Sequence, residues 1–170
     1  DRWLLEEEDV PETSLHSRII TLLVSILTAW IARTGRDAQV DRNLAVRWDP
    51  TRPRTGADPD VVLMQPSPPE GRALTTLDLW EPGHAPPRLA VEVVSLNTAD
   101  KDYLDAPDRY AASGIEEVWI FDPKGFGPAV PEGPFRLQVW RRSGDGELER
   151  VYEGDGPAFS PELGAWLVVT

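Results

Sequence analysis

A carboxylate inside an apolar run sets the strongest constraint on this chain. Glu92 sits within LAVEVVS, residues 89–95, a short Val-rich stretch that reads as a buried strand. An ionised carboxylate there is costly unless it is paired, hydrogen-bonded or bound to a metal. Upstream, Asp58 and Asp60 open a second strand-like run, VVLM. If the two strands are neighbours, an acid at the start of one meets an acid within the other. Two converging carboxylates form a cation site, and such sites support hydrolysis.

The surrounding pattern is that of an α/β domain. Residues 15–32 carry Ile19, Leu22, Leu23, Ile26, Leu27 and Trp30 at helical spacing, with Thr13 or Ser14 as N-cap and Gly35 as the stop. Residues 39–48 alternate enough for one strand. Proline- and glycine-rich loops then separate strands at 60–64 and 88–95, while 74–80 stays ambiguous. A helix over 102–113 follows, opened by Asp102 and Asp105, with Pro107 near its first turn and Gly114 as its end. EVWIFD, residues 117–122, is a strand, and 135–142 with 148–152 form a hairpin around SGDGE. Helix, strands, helix, strands implies a mixed sheet with few helices, in one domain spanning residues 1–170.

Composition narrows the function. The net charge of −12 argues against broad nucleic-acid affinity. The charge is uneven, however: residues 1–57 hold eight Arg against nine acids, so a polyanion would meet Arg33, Arg36, Arg42, Arg47, Arg52 or Arg54. The competing reading is a solvated basic surface. The longest apolar stretch, residues 19–31, falls short of a transmembrane span, and no membrane role is expected. The absence of cysteine excludes disulfides and thiolate metal sites and fits a cytoplasmic protein.

PDVVLM, LAVEVVS and DYLDAPDRYAASGIEEVWIFDP, in this order, resemble the Uma-two family of restriction-endonuclease-like proteins, within the PD-(D/E)xK nuclease superfamily. The resemblance covers nearly the whole chain. It implies a mixed central β-sheet flanked by helices, with a metal site where two strands diverge. It implies that Asp60, after Pro59, and Glu92 bind Mg²⁺ or Mn²⁺, that the Val94 carbonyl adds a ligand, and that the reaction is hydrolysis of DNA phosphodiester bonds. A homodimer is expected as well, with exposed Trp and apolar hairpin positions supplying its interface.

The third element of the motif departs from the family. Val94 stands where the usual lysine follows the Glu, and Ala106 stands at the position to which family members move it. Lys101 is the better chemical substitute and is taken as catalytic alongside Asp60 and Glu92. Arg109 shares a helix face with position 106, but it stays protonated and is a poor proton carrier.

Each candidate has a structural alternative. Asp60 could cap a turn, Asp58 could be a loop residue, and Glu92 could pair with an Arg. Lys101 could be solvated, and His16, early on the first helix near where family members place a recurring His, could contact substrate or metal water or serve in capping or packing. Glu12 could bring a third carboxylate. Asp102 reads as a cap, Asp122 as structural, and Ser95 lies beside the site without a Ser–His–Asp set. Two functional classes follow: a metal-dependent endonuclease, or a degenerate nuclease-fold protein acting in binding or assembly. A sugar hydrolase using the two acids is chemically conceivable, but the family context disfavours it.

Overall fold

The computed structural model describes residues 14–95, 103, 106–125 and 136–170. The main sheet has six strands: β1 (Gln39–Arg42), β4 (Val61–Met64), β6 (Leu89–Val93), β7 (Glu117–Phe121), β8 (Leu137–Arg142) and β9 (Leu148–Gly154), in that spatial order. β6 and β7 run parallel, joined by the connection that contains helix α2 (Ala106–Ser113), and every other neighbouring pair is antiparallel. The fold is therefore the mixed α/β arrangement that the sequence implies.

Helix α1 (Ser14–Thr34) covers one face of this sheet. Its Ile20, Leu27 and Trp30 pack on Val61, Leu63, Leu89, Val91 and Val93, the residues one strand face presents by alternation. α2 covers the other face, where Tyr110 and Ala106 meet Ala90, Val94, Val118 and Ile120. β4 and β6 are buried along their whole length, which is why both read as unbroken apolar runs. Glycines in the left-handed region end the helices, Gly35 at φ 64° after α1 and Gly114 at φ 81° after α2.

Two expectations change. The stretch 39–48 is not one strand: Asn43, with φ 51°, breaks it into β1 and β2 (Ala45–Arg47). Asparagine tolerates this conformation, so the chain turns out of the main sheet. There β2 joins a three-stranded sheet with β3 (Gly56–Ala57) and β5 (Thr76–Asp78), the strand hidden in the ambiguous segment. Secondly, α1 over Leu15–Thr34 is long and apolar enough, by length and composition, to cross a bilayer. Its Ile20, Leu27 and Trp30 are instead buried against the sheet, and the Trp30 indole donates to the Leu163 carbonyl. A further hairpin, β10 (Ala158–Ser160) with β11 (Ala165–Leu167), closes the described chain.

Candidate active site

A proline creates the site. The antiparallel register of β4 and β6 runs Leu63↔Leu89, Val62↔Ala90, Val61↔Val91. Continued, it sets Asp60 opposite Glu92 and Pro59 opposite Val93. Proline has no N–H to give the ladder, so backbone pairing stops there. The polar groups of Val93 then find side chains instead. Its N–H donates to Asp60 Oδ2 at 2.7 Å, and its carbonyl accepts from His16 Nε2 at 2.8 Å. His16 Nε2 also lies 3.2 Å from Asp60 Oδ2. The Pro–Asp pair thus both ends the strand and delivers a carboxylate to the gap.

Directly opposed residues of an antiparallel pair share a face, so Asp60 and Glu92 project to the same side of the sheet. Glu92 is only 6% exposed. The Tyr110 hydroxyl, on the buried stripe of α2, donates to Glu92 Oε1 at 2.5 Å, a charge-assisted bond that fixes the carboxylate. Asp122, directly after β7, is fully buried. It accepts from the Tyr103 hydroxyl at 3.0 Å and from the Lys124 amide at 3.3 Å, which suits a residue that organises a turn.

The other candidates separate cleanly. Val94 is buried, and its amide donates across to Phe121 on β7, away from Asp60. The backbone carbonyl that faces Asp60 belongs to Val93, so the expected carbonyl donor shifts by one residue. Ala106 is buried at the start of α2, and Arg109 is half-buried on the same helix. Asp58 pairs with Arg47 at 2.8 Å in the exposed loop, matching its loop reading. Ser95 is half-buried just beyond β6. Lys101, Asp102 and Glu12 lie outside the described residues.

The arginines do not form one patch. Arg33 stands about 26 Å along α1 from His16 at the helical rise per residue, and Arg36 follows the helix. Arg36 stacks on Trp30 at 4.8 Å and donates to the Glu162 carbonyl. Arg42 ends β1 opposite Val61, beside the site. Arg47, Arg52 and Arg54 belong to the segment leading into Pro59 and Asp60. Within it, Arg52 donates to Asp49 at 2.7 Å. The Thr51 hydroxyl, and after it the Arg52 guanidinium, pull the Asp49 carboxyl down to about 2.

Two residues of the site were weakly marked in the sequence. Tyr110 is visible only as an apolar-stripe position of a helix. The Val93 carbonyl needed the strand sidedness that Pro59 imposes. Among the described residues, no three His, Asp or Glu side chains are placed to hold one metal ion. What the structure does gather is the Asp60 carboxylate, the His16 imidazole and the Val93 peptide groups.

A sheet flanked by helices, opened at a Pro–Asp strand start across from a buried Glu, defines a restriction-endonuclease-like fold. The family model for Uma2, described as "Putative restriction endonuclease", matches residues 5–166, and the chain belongs to that family. A solved structure described as a putative nuclease of the DUF820 group, from Anabaena variabilis, is similar over 91% of this chain and 75% of its own length. It has a TM-score of 0.59 at 17% identity, a likeness of fold. No curated protein matches the chain significantly.

Proposed function

We propose that this chain is a divalent-metal-dependent endonuclease that hydrolyses phosphodiester bonds in DNA, with Asp60 and Glu92 as the metal-holding carboxylates. The observation that carries this reading is the interrupted ladder at Pro59, which leaves the two acids opposed on one face. Carboxylate and carbonyl oxygens are hard donors that suit Mg²⁺ or Mn²⁺. The residues therefore fit the metal that the family implies, with the Val93 carbonyl in place of that of Val94. When bound, such an ion eases deprotonation of water and neutralises charge developing on a phosphoryl oxygen. The chain's own part is to hold that site: Tyr110 orients Glu92, and the Val93 amide orients Asp60. Lys101 is retained as the proposed source of catalytic positive charge. Arg42, with the loop carrying Arg47, Arg52 and Arg54, is the proposed contact for the DNA backbone.

The second reading, a degenerate nuclease fold used for binding or assembly, is favoured by the two lysine positions. Both Val94 and Ala106 are buried apolar residues. Cleavage of supercoiled plasmid and single-stranded DNA in Mg²⁺ and in Mn²⁺, with Glu92→Ala alongside, separates the two. Cleavage by the native chain alone supports the nuclease. No cleavage at high protein concentration in either metal supports the degenerate fold.

A homodimer belongs to the same proposal. Leu22 and Ile26 of α1 form an exposed apolar ridge beside a groove of about 730 Å³, which reaches to Trp166 and Val168. Ridge and groove on one face are what an isologous pair requires, and apolar side chains exposed together mark interaction surfaces. Sedimentation of Ile26→Glu against the native chain tests it.

A further inference from the structure

Trp48 is an aromatic side chain beside the site that the metal chemistry leaves unused. It follows β2 directly and is half-buried. It packs against the cluster that holds Ala57, Val94, Ala106 and Tyr110, and Tyr110 in turn donates to Glu92. The indole therefore borders the side of the sheet on which Glu92 is held. Three other tryptophans place their indole N–H on protein: Trp30 on the Leu163 carbonyl, Trp119 on Glu117 and Trp140 on Gln138. Trp48 makes no such bond among the described residues. A tryptophan with one end packed and the other wet suits an interface.

The loop that Trp48 opens, residues 48–55, is held in shape by its own side chains. Asp49 accepts from the Thr51 amide at 2.9 Å, the Thr51 hydroxyl at 2.6 Å and Arg52 at 2.7 Å. Arg47 pairs with Asp58 across the stem at 2.8 Å. Arg47 and Arg52 are thus engaged within the chain. Arg54 is exposed, and Arg109 is half-buried on α2, next to Tyr110. Neither has an ion pair among the described residues, in a chain of net charge −12. α2 packs on β3, the strand into which this loop leads, so both arginines border the same cluster as Trp48.

We infer that Trp48 is a stacking platform for an unpaired base, with Arg54 and Arg109 taking the flanking phosphates, so that the protein prefers single-stranded over double-stranded DNA. This rests on the proposed reading of the Asp60–Glu92 cleft as a DNA-cutting site. The preference follows from where a base offers its face. In a duplex both faces are covered by stacked neighbours, so an indole can stack only on a base that is single-stranded or has left the helix. Every base has such a face, so the contact tolerates any sequence. Arginines alone would serve both forms of DNA.

The test uses the full chain with Trp48→Ala and Trp48→Phe, in EDTA so that binding is read without cleavage. Fluorescence anisotropy follows one labelled oligonucleotide in three forms: single-stranded, annealed to its complement, and as an abasic strand with the same phosphates. The native chain is expected to bind the single strand about tenfold more tightly than the duplex and to lose that advantage on the abasic strand. Trp48→Ala should lose about tenfold on the single strand and less than about twofold on the duplex. Its dependence of log affinity on log salt should not change, because no phosphate contact is lost. Trp48→Phe, which keeps a ring, should stay within about threefold of native.

Equal native affinity for single strand and duplex overturns the inference, as does an abasic strand bound as tightly as the intact one. Equal loss on both forms in Trp48→Ala overturns it too, since that is what a packing role alone produces. The abasic comparison needs only the native chain and does not depend on a variant folding. The nuclease reading fails separately. A single-strand preference without Glu92-dependent cleavage supports the stacking role and removes the nuclease, whereas Glu92-dependent cleavage without the preference does the reverse.

Discussion

Two glutamates are buried in neighbouring parallel strands of the same sheet, and they do opposite things. Glu117 opens β7 and is fully buried, while Glu92 lies near the end of β6 at 6% exposure. The register pairs Glu117 with Leu89 and Glu92 with Ile120, so the two acids sit at opposite ends of one strand pair. Glu117 is saturated by protein donors. Oε1 accepts from the Trp119 indole at 2.7 Å and the Ser160 hydroxyl at 2.6 Å, and Oε2 from Arg141 Nε at 3.1 Å. Arg141 also reaches the Phe159 carbonyl, so this carboxylate ties the closing β10–β11 hairpin to the sheet. Glu92, in contrast, stands across from a second acid. Burial alone does not mark a site; the partner a buried carboxylate faces does.

Exchanging the two roles is the sharpest way to break this comparison. Glu92→Ala should cost about a thousandfold in DNA cleavage, at the upper end of what removing one electrostatic stabiliser costs. Glu92→Gln should change stability by less than about 1 kcal/mol, because the site gains little from two opposed acids. Glu117→Ala should do the reverse. It strands Arg141, Trp119 and Ser160 and should cost about 3 kcal/mol, about 6–12 °C in Tm for a chain of this size. The figure is at the low end for a buried pair because Arg141 is 31% exposed. Metal binding should be unchanged in folded Glu117→Ala. Plasmid cleavage, calorimetry and thermal melts on the same preparations decide it, and loss of metal binding in Glu117→Ala would remove the distinction.

The contrast also explains what the sequence could say. LAVEVVS and EVWIFD each place a Glu beside apolar residues, yet only Glu92 stood out, because three Val residues surround it and a Pro–Asp pair precedes the partner strand. The helices, the central strands and the β8–β9 hairpin were legible from periodicity and from Gly and Pro punctuation, whereas β10 and β11 were not read. The Asn43 break was not, because a left-handed asparagine leaves the alternation of residues 39–48 nearly intact. Nor was the Val93 carbonyl, because the side to which a backbone group points depends on which strand lies on each flank. The second sheet escaped for a related reason: β3 and β5 are two and three residues long, too short for a period to register.

Smaller effects sharpen the comparison further. Tyr110→Phe leaves the fold in place but removes the donor that orients Glu92, and cleavage should fall about tenfold, as for outer-shell partners of metal ligands. Its counterpart at the other end, Ser160→Ala, should cost about 1 kcal/mol and leave cleavage untouched. In the loop proposed to contact DNA, Arg54→Ala should weaken DNA binding modestly at every sequence. It should also flatten the dependence of log affinity on log salt by about 0.9 for one lost phosphate contact. Fluorescence anisotropy across a salt series measures that slope.

A third glutamate gives the smallest effect and the clearest sign. Glu70 is exposed, and the His84 ring donates to it at 2.9 Å. That hydrogen bond lowers the Glu70 carboxyl below its ordinary 4.5. Burial alone would lower the His84 pKa, but Glu70 and the Asp78 carbonyl outweigh it and raise the ring above 6.5. The histidine's contribution is fully present below pH 6.5 and is lost as pH rises through its raised folded value. The carboxylate's contribution is present above pH 4.5 and is lost as pH falls through its lowered folded value. The clasp between the β4–β5 loop and the β5–β6 loop is thus complete between pH 4.5 and 6.5. Glu70→Gln should move the His84 ring midpoint downward in an NMR titration and flatten the fall in Tm above neutral pH. An unmoved midpoint would mean that an exposed carboxylate exerts no control there. Partner identity would then matter only for buried acids such as Glu92 and Glu117.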